Sequence, residues 1–200
     1  MENNIDWTEN IIVADADYID RVAFNLTVNF ERMIGRRIPP ADLAQWAVCI
    51  ALDGGLRQGK HNTHLILIHD KDSQRLQNFQ PADYDKELNA RAFTDDMLGE
   101  FTIAPVAVEK EMVDKSSLML DIVGTLCQQQ QVKRIMVVPN AEEGTLYDDL
   151  RATLRHLDDD SKHITLFAMQ PMPGGNFKQE ILGYSIMNAL GIKGEELKQI

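Results

Sequence analysis

The stretch Asn10-Ile11-Ile12-Val13-Ala14-Asp15-Ala16-Asp17-Tyr18-Ile19-Asp20 decides how this chain is read. A short run rich in β-branched residues ends abruptly in acids. A helical pattern follows, in which Ile19, Val22, Ala23, Leu26, Phe30, Met33 and Ile34 recur at the spacing of one face. This predicts a buried first strand whose carboxyl end presents Asp15 and Asp17, then a long amphipathic helix. Ligand sites of open α/β sheets lie at the carboxyl ends of strands. The two aspartates are therefore the first candidates for function.

Working outward, Gly35 and the Arg36-Arg37 pair end that helix, where basic residues complement the helix dipole. Pro39-Pro40-Ala41-Asp42 opens a second helix bearing Leu43, Trp46, Ala47, Ile50 and Ala51, and Gly54-Gly55 stops it. Residues 64–69 read as a second strand running into Asp70-Lys71-Asp72, and 81–91 as a helix. A third strand covers 101–108, where Pro105 assigns it to a sheet edge. Asp114 caps a helix over 112–128, and 134–138 is a fourth strand. Leu146, Leu150 and Leu154 mark a helix over 142–156, Asp158-Asp159-Asp160-Ser161 a turn, and 163–168 a fifth strand. Asn176 with Gln179 reads as a capping box for a last helix bearing Phe177, Ile181, Tyr184 and Leu190. Alternating strands and helices predict right-handed crossovers and a mainly parallel sheet of about five strands in a three-layer α/β/α sandwich. No linker or internal repeat interrupts the pattern, so residues 1–200 are expected to form one domain.

The net charge of −11 bears on partners, because it repels polyanions at long range. Basic residues are scattered, Arg36-Arg37 and Lys133-Arg134 being the only adjacent pairs. A phosphate substrate bridged by a divalent ion stays open, since a bound ion reverses the local field. No apolar run is long enough to span a bilayer, and residues 1–7 lack the basic and apolar regions of a secretory signal. Cys49 and Cys127 fall in apolar helical stretches and read as buried free thiols. A reducing, cytoplasmic setting is expected, with no membrane partner.

Acids gather at predicted element ends: Asp15, Asp17, Asp70, Asp72, Asp114, Asp121, Glu142 and Glu143. Oxygen ligands converging from several elements are what Mg²⁺ or Mn²⁺ requires. The same residues also have purely structural readings. Asp17 or Asp20 would cap the first helix, Asp114 another, and Glu142-Glu143 would complement a helix dipole. Asp15 differs in sitting at a strand end. The 15–26 stretch is no EF-hand, because it lacks the loop glycine and carries Leu26 at the twelfth position. His61 and His64 have no third zinc ligand beside them, and neither a G-x-S-x-G nor a P-loop pattern occurs. Pro173-Gly174-Gly175-Asn176-Phe177 reads either as a tight turn or as an anion-binding loop.

The run Ala14-Asp15-Ala16-Asp17-Tyr18, the helix Val113-Asp114-Lys115-Ser116-Ser117-Leu118-Met119-Leu120-Asp121 and the strand after it together resemble the NYN/PIN-like metal-dependent ribonucleases. The order of elements matches over about residues 10–170. The resemblance implies a PIN-like fold, Mg²⁺ or Mn²⁺ held by Asp15, Asp17, Asp114 and Glu143, and RNA as substrate. Catalysis would fall to Asp15, Asp114, Asp121 and Glu143, the metal activating water. Two departures are visible. Asp114 and Asp121 lie one residue further apart than the family spacing. The acidic motif after the fourth strand is replaced by Pro139-Asn140-Ala141-Glu142-Glu143-Gly144, where Glu143 and less directly Glu142 substitute. A second reading belongs to another class: a catalytically inactive PIN-like protein acting as an interaction or homo-oligomerisation module. Its surface would be the second helix with Trp46, or the segment around Met172 and Met187.

Overall fold

A computed structural model describes residues 6–157 and 161–198 of the chain. Residues 1–5 and 199–200 lie outside the described residues, as do 158–160 of the acidic turn expected over 158–161. The opening stretch forms strand β1 (Asn10–Asp15) and helix α1 (Ala16–Ile34), as its two periodicities require. Gly35 ends α1 at φ +69, the left-handed conformation a glycine adopts without penalty, and its N–H returns to the Glu31 carbonyl. Strand β2 (Ala41–Asp42) and helix α2 (Leu43–Asp53) follow, with Asp42 as N-cap. Then come β3 (His61–Asp70), β4 (Phe79–Gln80), β5 (Arg91–Asp95) and β6 (Gly99–Val108). Helix α3 (Lys115–Gln128), β7 (Arg134–Val138), α4 (Leu146–Leu154) and β8 (His163–Ala168) lead to β9 (Lys178–Ile181), α5 (Leu182–Ala189) and α6 (Gly194–Leu197).

The main sheet has seven strands in the order β5-β6-β3-β1-β7-β8-β9, all parallel except β5. The sheet is thus wider than the five strands expected. The two additions are short edge strands that sequence patterning hides. Residues 81–91 hold only a single wide π-type turn, Tyr84–Leu88, after which β5 folds back antiparallel on β6. The edge assignment of this strand is corrected, since β6 lies between β5 and β3. Among the described residues nothing pairs with the outer side of β6 beyond Ile103, so Pro105 lies past the end of β5 while still pairing with Leu67 of β3. At the other edge, Gln179 does not cap a helix. Its amide bonds both the N–H and the carbonyl of Met172, and Lys178–Ile181 runs parallel to β8.

Alternation along β1 divides the core. Ile12 and Ala14 face a cluster built with α1, α2 and α5, while Ile11 and Val13 face one built with α3 and α4. Trp46 belongs to the first cluster, fully buried and edge-on to Phe79 at 6.0 Å. This corrects its assignment to an interaction surface. Met187 is likewise partly buried against that core and Met172 against the other. Both cysteines are free but only half-buried, and burial pushes the Cys127 thiol up to about 11.

The chain winds outward from β1 through β3 to β6, then α3 carries it back to β7 on the other flank of β1. The winding direction reverses at β1 and β7. The crevice at their carboxyl ends is where ligands of such sheets bind.

Gly99 provides a sharp test of the β3–β6 pairing. It opens β6 at φ +91, and a Cβ there would lie 2.3 Å from the His61 carbonyl oxygen and 2.6 Å from its nitrogen. Gly99→Ala is expected to lower the unfolding free energy by more than about 2 kcal/mol in urea melts. A loss within about 0.5 kcal/mol would contradict this register.

Candidate functional site

Asp15 and Asp70 reach the same place for the same reason. Each ends its strand in phase with residues facing α3: Ile11 and Val13 in β1, Ile66 and Ile68 in β3. The first residue of α3 is Lys115, and its ammonium enters between them. Lys115 Nζ lies 2.7 Å from Asp17 Oδ2, 3.3 Å from Asp15 Oδ1 and 3.6 Å from Asp70 Oδ2. All four side chains are at least three-quarters buried, with side-chain exposures between 11% and 24%. Further hydrogen bonds fix the carboxylates. The Tyr18 N–H donates to Asp15 Oδ1 at 3.0 Å, making Asp15 the N-cap of α1, a role expected of Asp17 or Asp20. The Asp70 N–H donates to Asp17 Oδ2 at 2.8 Å and ties β3 to α1. Asp20 instead receives the N–H groups of Gln77 and Asn78.

These contacts split the acidities. Burial raises the Asp15 carboxyl above its ordinary range, although Lys115 pulls against it. Burial acts on Asp17 in the same direction, but the Lys115 hydrogen bond and the Asp70 N–H outweigh it and hold Asp17 below the usual value. Burial disfavours the Lys115 ammonium too, yet its bond to Asp17 and the neighbouring carboxylates raise it.

Around this centre lies a crevice of about 380 Å³ that also takes in Tyr18, Arg21, Asn140 and Glu143. Asp114 reaches its edge, with its carboxylate accepting from the Ser117 N–H at 3.2 Å as the cap of α3. Glu143 is there as well, exposed and paired with Arg21 at 3.1 Å. Asp121 is not. Seven residues beyond Asp114, it lies about 10 Å further along the helix at 1.5 Å per residue. There it is exposed and lines a separate apolar cavity of about 500 Å³ with Trp7, His64 and Ile66. The structure does not bring it together with Asp15, Asp114 and Glu143. Lys115 and Tyr18 were missing from the expected set, and Asp70 stood among the end-of-element acids without an assigned role. Lys115 carried a signal, since a cation in the first turn of a helix opposes the dipole and needs anionic partners.

Among the described residues no group of three or more His, Cys, Asp or Glu side chains is arranged to hold a metal ion. The spacing gives the reason. The converging oxygens stand 2.7–3.6 Å from a common point that Lys115 Nζ fills. Mg²⁺ needs about 2.0–2.1 Å and Ca²⁺ about 2.3–2.6 Å. As arranged, these residues fit an ammonium and do not fit a divalent ion.

A family model described as a family of unknown function, DUF6621, matches residues 4–197. The chain belongs to the DUF6621 family. No curated protein and no solved structure matches it. In this DUF6621 chain no helix of the described residues is long and apolar enough to cross a membrane.

The ion cluster should be visible in stability. Lys115→Met leaves carboxylates facing one another and should cost about 2–3 kcal/mol, less than a fully buried pair because some solvent reaches it. A raised lysine pKa contributes stability that is complete below 10.5 and lost as pH rises through the folded value. The gap between the DUF6621 wild type and Lys115→Met should therefore narrow on the alkaline side of 10.5. The lowered pKa of Asp17 works oppositely, its contribution being lost as pH falls below 3.8 through the folded value. Equal denaturant midpoints for both proteins at pH 7 would refute the cluster.

Proposed function

We propose that this protein is a PIN/NYN-like domain of α/β/α layering in which an internal ammonium stands where such domains hold a divalent ion. It works as a binding module rather than as an RNA-hydrolysing enzyme. The observation that carries this reading is Lys115 Nζ among Asp15, Asp17 and Asp70 at the reversal of the sheet winding. The acid-x-acid end of β1 and the order of the elements support the kinship.

The chemistry of the residues supports the loss of hydrolysis. Asp114 is engaged as a helix cap and Glu143 with Arg21, so neither is free to complete a metal shell around Asp15. The crevice carries surplus negative charge, which without a bound ion repels RNA phosphates. A nuclease built on Asp15, Asp17, Asp114 and Glu143 with Mg²⁺ or Mn²⁺ requires Lys115 to leave first.

Thermal melts with about 5 mM Mn²⁺ separate the two readings. The wild type should shift by less than about 1 °C, because the cation position is filled. Lys115→Ala, although less stable, should gain about 3–5 °C from the same Mn²⁺, and a second change, Asp15→Asn, should remove the gain. A saturable Mn²⁺ shift in the wild type that Asp15→Asn abolishes would overturn the proposal in favour of the metal-dependent one.

A further inference from the structure

We propose that the cleft beyond the end of β5 binds a small neutral polyol, one of whose hydroxyls donates to His69 Nε2 at the cleft floor. This goes beyond the reading of Lys115 and draws on none of its carboxylate partners. Strand phase puts the imidazole there. Leu65, Leu67 and His69 share one face of β3, and the two leucines belong to the core built with α1 and α2. His69 stands at the rim of that core, beside Ala107 of β6. It is 6% exposed and lines a cleft of about 500 Å³ with Gln74, Asn89, Pro105 and Ala107.

The ring is fixed twice. It stacks on Tyr84 at 3.7 Å with 10° between the planes, and Nδ1 lies 2.9 Å from the Asp70 carbonyl oxygen. A carbonyl only accepts, so Nδ1 carries the proton of the neutral imidazole and Nε2 keeps its lone pair. Among the described residues that contact is the ring's one hydrogen bond. Nε2 is not among the fully enclosed atoms without a partner, so it opens on the cleft. Buried polar groups are normally paired, and an acceptor held this firmly takes its donor from the cleft, a ligand hydroxyl in place of water.

The remaining lining selects the class of ligand. Lys71 and Lys86 balance Asp83 and Asp85. Lys71 is moreover paired with Glu109, and Asp83 accepts from the N–H groups of Asp85 and Lys86. No surplus charge favours an ion, and no metal-holding group of three side chains gathers among the described residues. The exposed amides of Gln74 and Asn89 offer donors and acceptors together, as the hydroxyls of a polyol require. Pro105 and Ala107 give its C–H groups an apolar wall, and the volume is that of a small-molecule site. The rim also has unusual backbone. Tyr84–Leu88 is the wide π-type turn, and Ala90 follows Asn89 at φ +53, a conformation costly to a residue with a side chain. Both devices concentrate at binding sites.

The test is an NMR titration of the full chain at about pH 8, following the His69 ring nitrogens. Without ligand, Nδ1 should be the protonated nitrogen, and a proton on Nε2 instead would overturn the inference. D-glucose, D-ribose and D-sorbitol are the neutral probes. Gluconate and N-methyl-D-glucamine keep the sorbitol skeleton with one negative or one positive charge. At least one neutral probe should move the Nε2 resonance saturably and bind more tightly than either charged one. His69→Phe, which keeps a ring on Tyr84 but removes the acceptor, should weaken that binding by about tenfold, and Asn89→Ala by about threefold. Asn89 is exposed, so its variant reports even if His69→Phe fails to fold. No saturable shift with any neutral probe would overturn the inference. So would tighter binding of a charged probe, or an affinity that Asn89→Ala leaves unchanged.

Discussion

The structure is organised around one ammonium among three carboxylates. Lys115 opens α3, Asp15 closes the central strand, Asp17 starts α1 and Asp70 ends the neighbouring strand. Their meeting ties both faces of the sheet to its carboxyl edge, because α1 packs on one side and α3 on the other. Like charges brought together in a partly dry crevice are tolerable only with a cation between them. The protein supplies that cation from its own chain. The placement also resolves a local conflict, since a lysine in the first turn of α3 would otherwise face the positive end of the helix dipole.

This arrangement separates what each acid does. Asp15 combines a structural task with a chemical one, capping α1 while lining the crevice. Asp17 is the firmest partner of the lysine and holds the Asp70 backbone as well. Asp114 gives its carboxylate to the helix that carries Lys115, so it contributes to the site by positioning. Glu143 stands at the solvent rim, where an exposed pair with Arg21 adds little stability but shapes the mouth. The crevice therefore has a buried floor and an exposed edge.

Much of this was legible in residue order, and the failures have physical causes. The β-branched run and the helical pattern after it placed Asp15 at the end of a buried strand, and the structure puts it there. Asp70 was visible among the end-of-strand acids, and its two-residue phase with Ile66 and Ile68 would have turned it toward Asp15. Asp121 lies off the crevice because seven helical residues restore the face but not the height. The edge strands β5 and β9 were hidden for a different reason. Arg91–Asp95 and Lys178–Ile181 are short and largely polar, so neither carries the apolar run that marks a buried strand. Trp46, read as part of an interaction surface, is core because α2 packs both on β1 and against α5. Lys115 is less legible because its three partners lie far from it along the chain.

The most direct measurement of the central claim is an NMR titration of the Lys115 side chain, followed through its terminal carbon and nitrogen. The account predicts a Lys115 ammonium that titrates above 10.5, alongside an Asp17 carboxyl that titrates below 3.8. A Lys115 that titrates at or below 10.5, with an Asp17 at its ordinary value, would mean that the lysine does not occupy the acidic crevice.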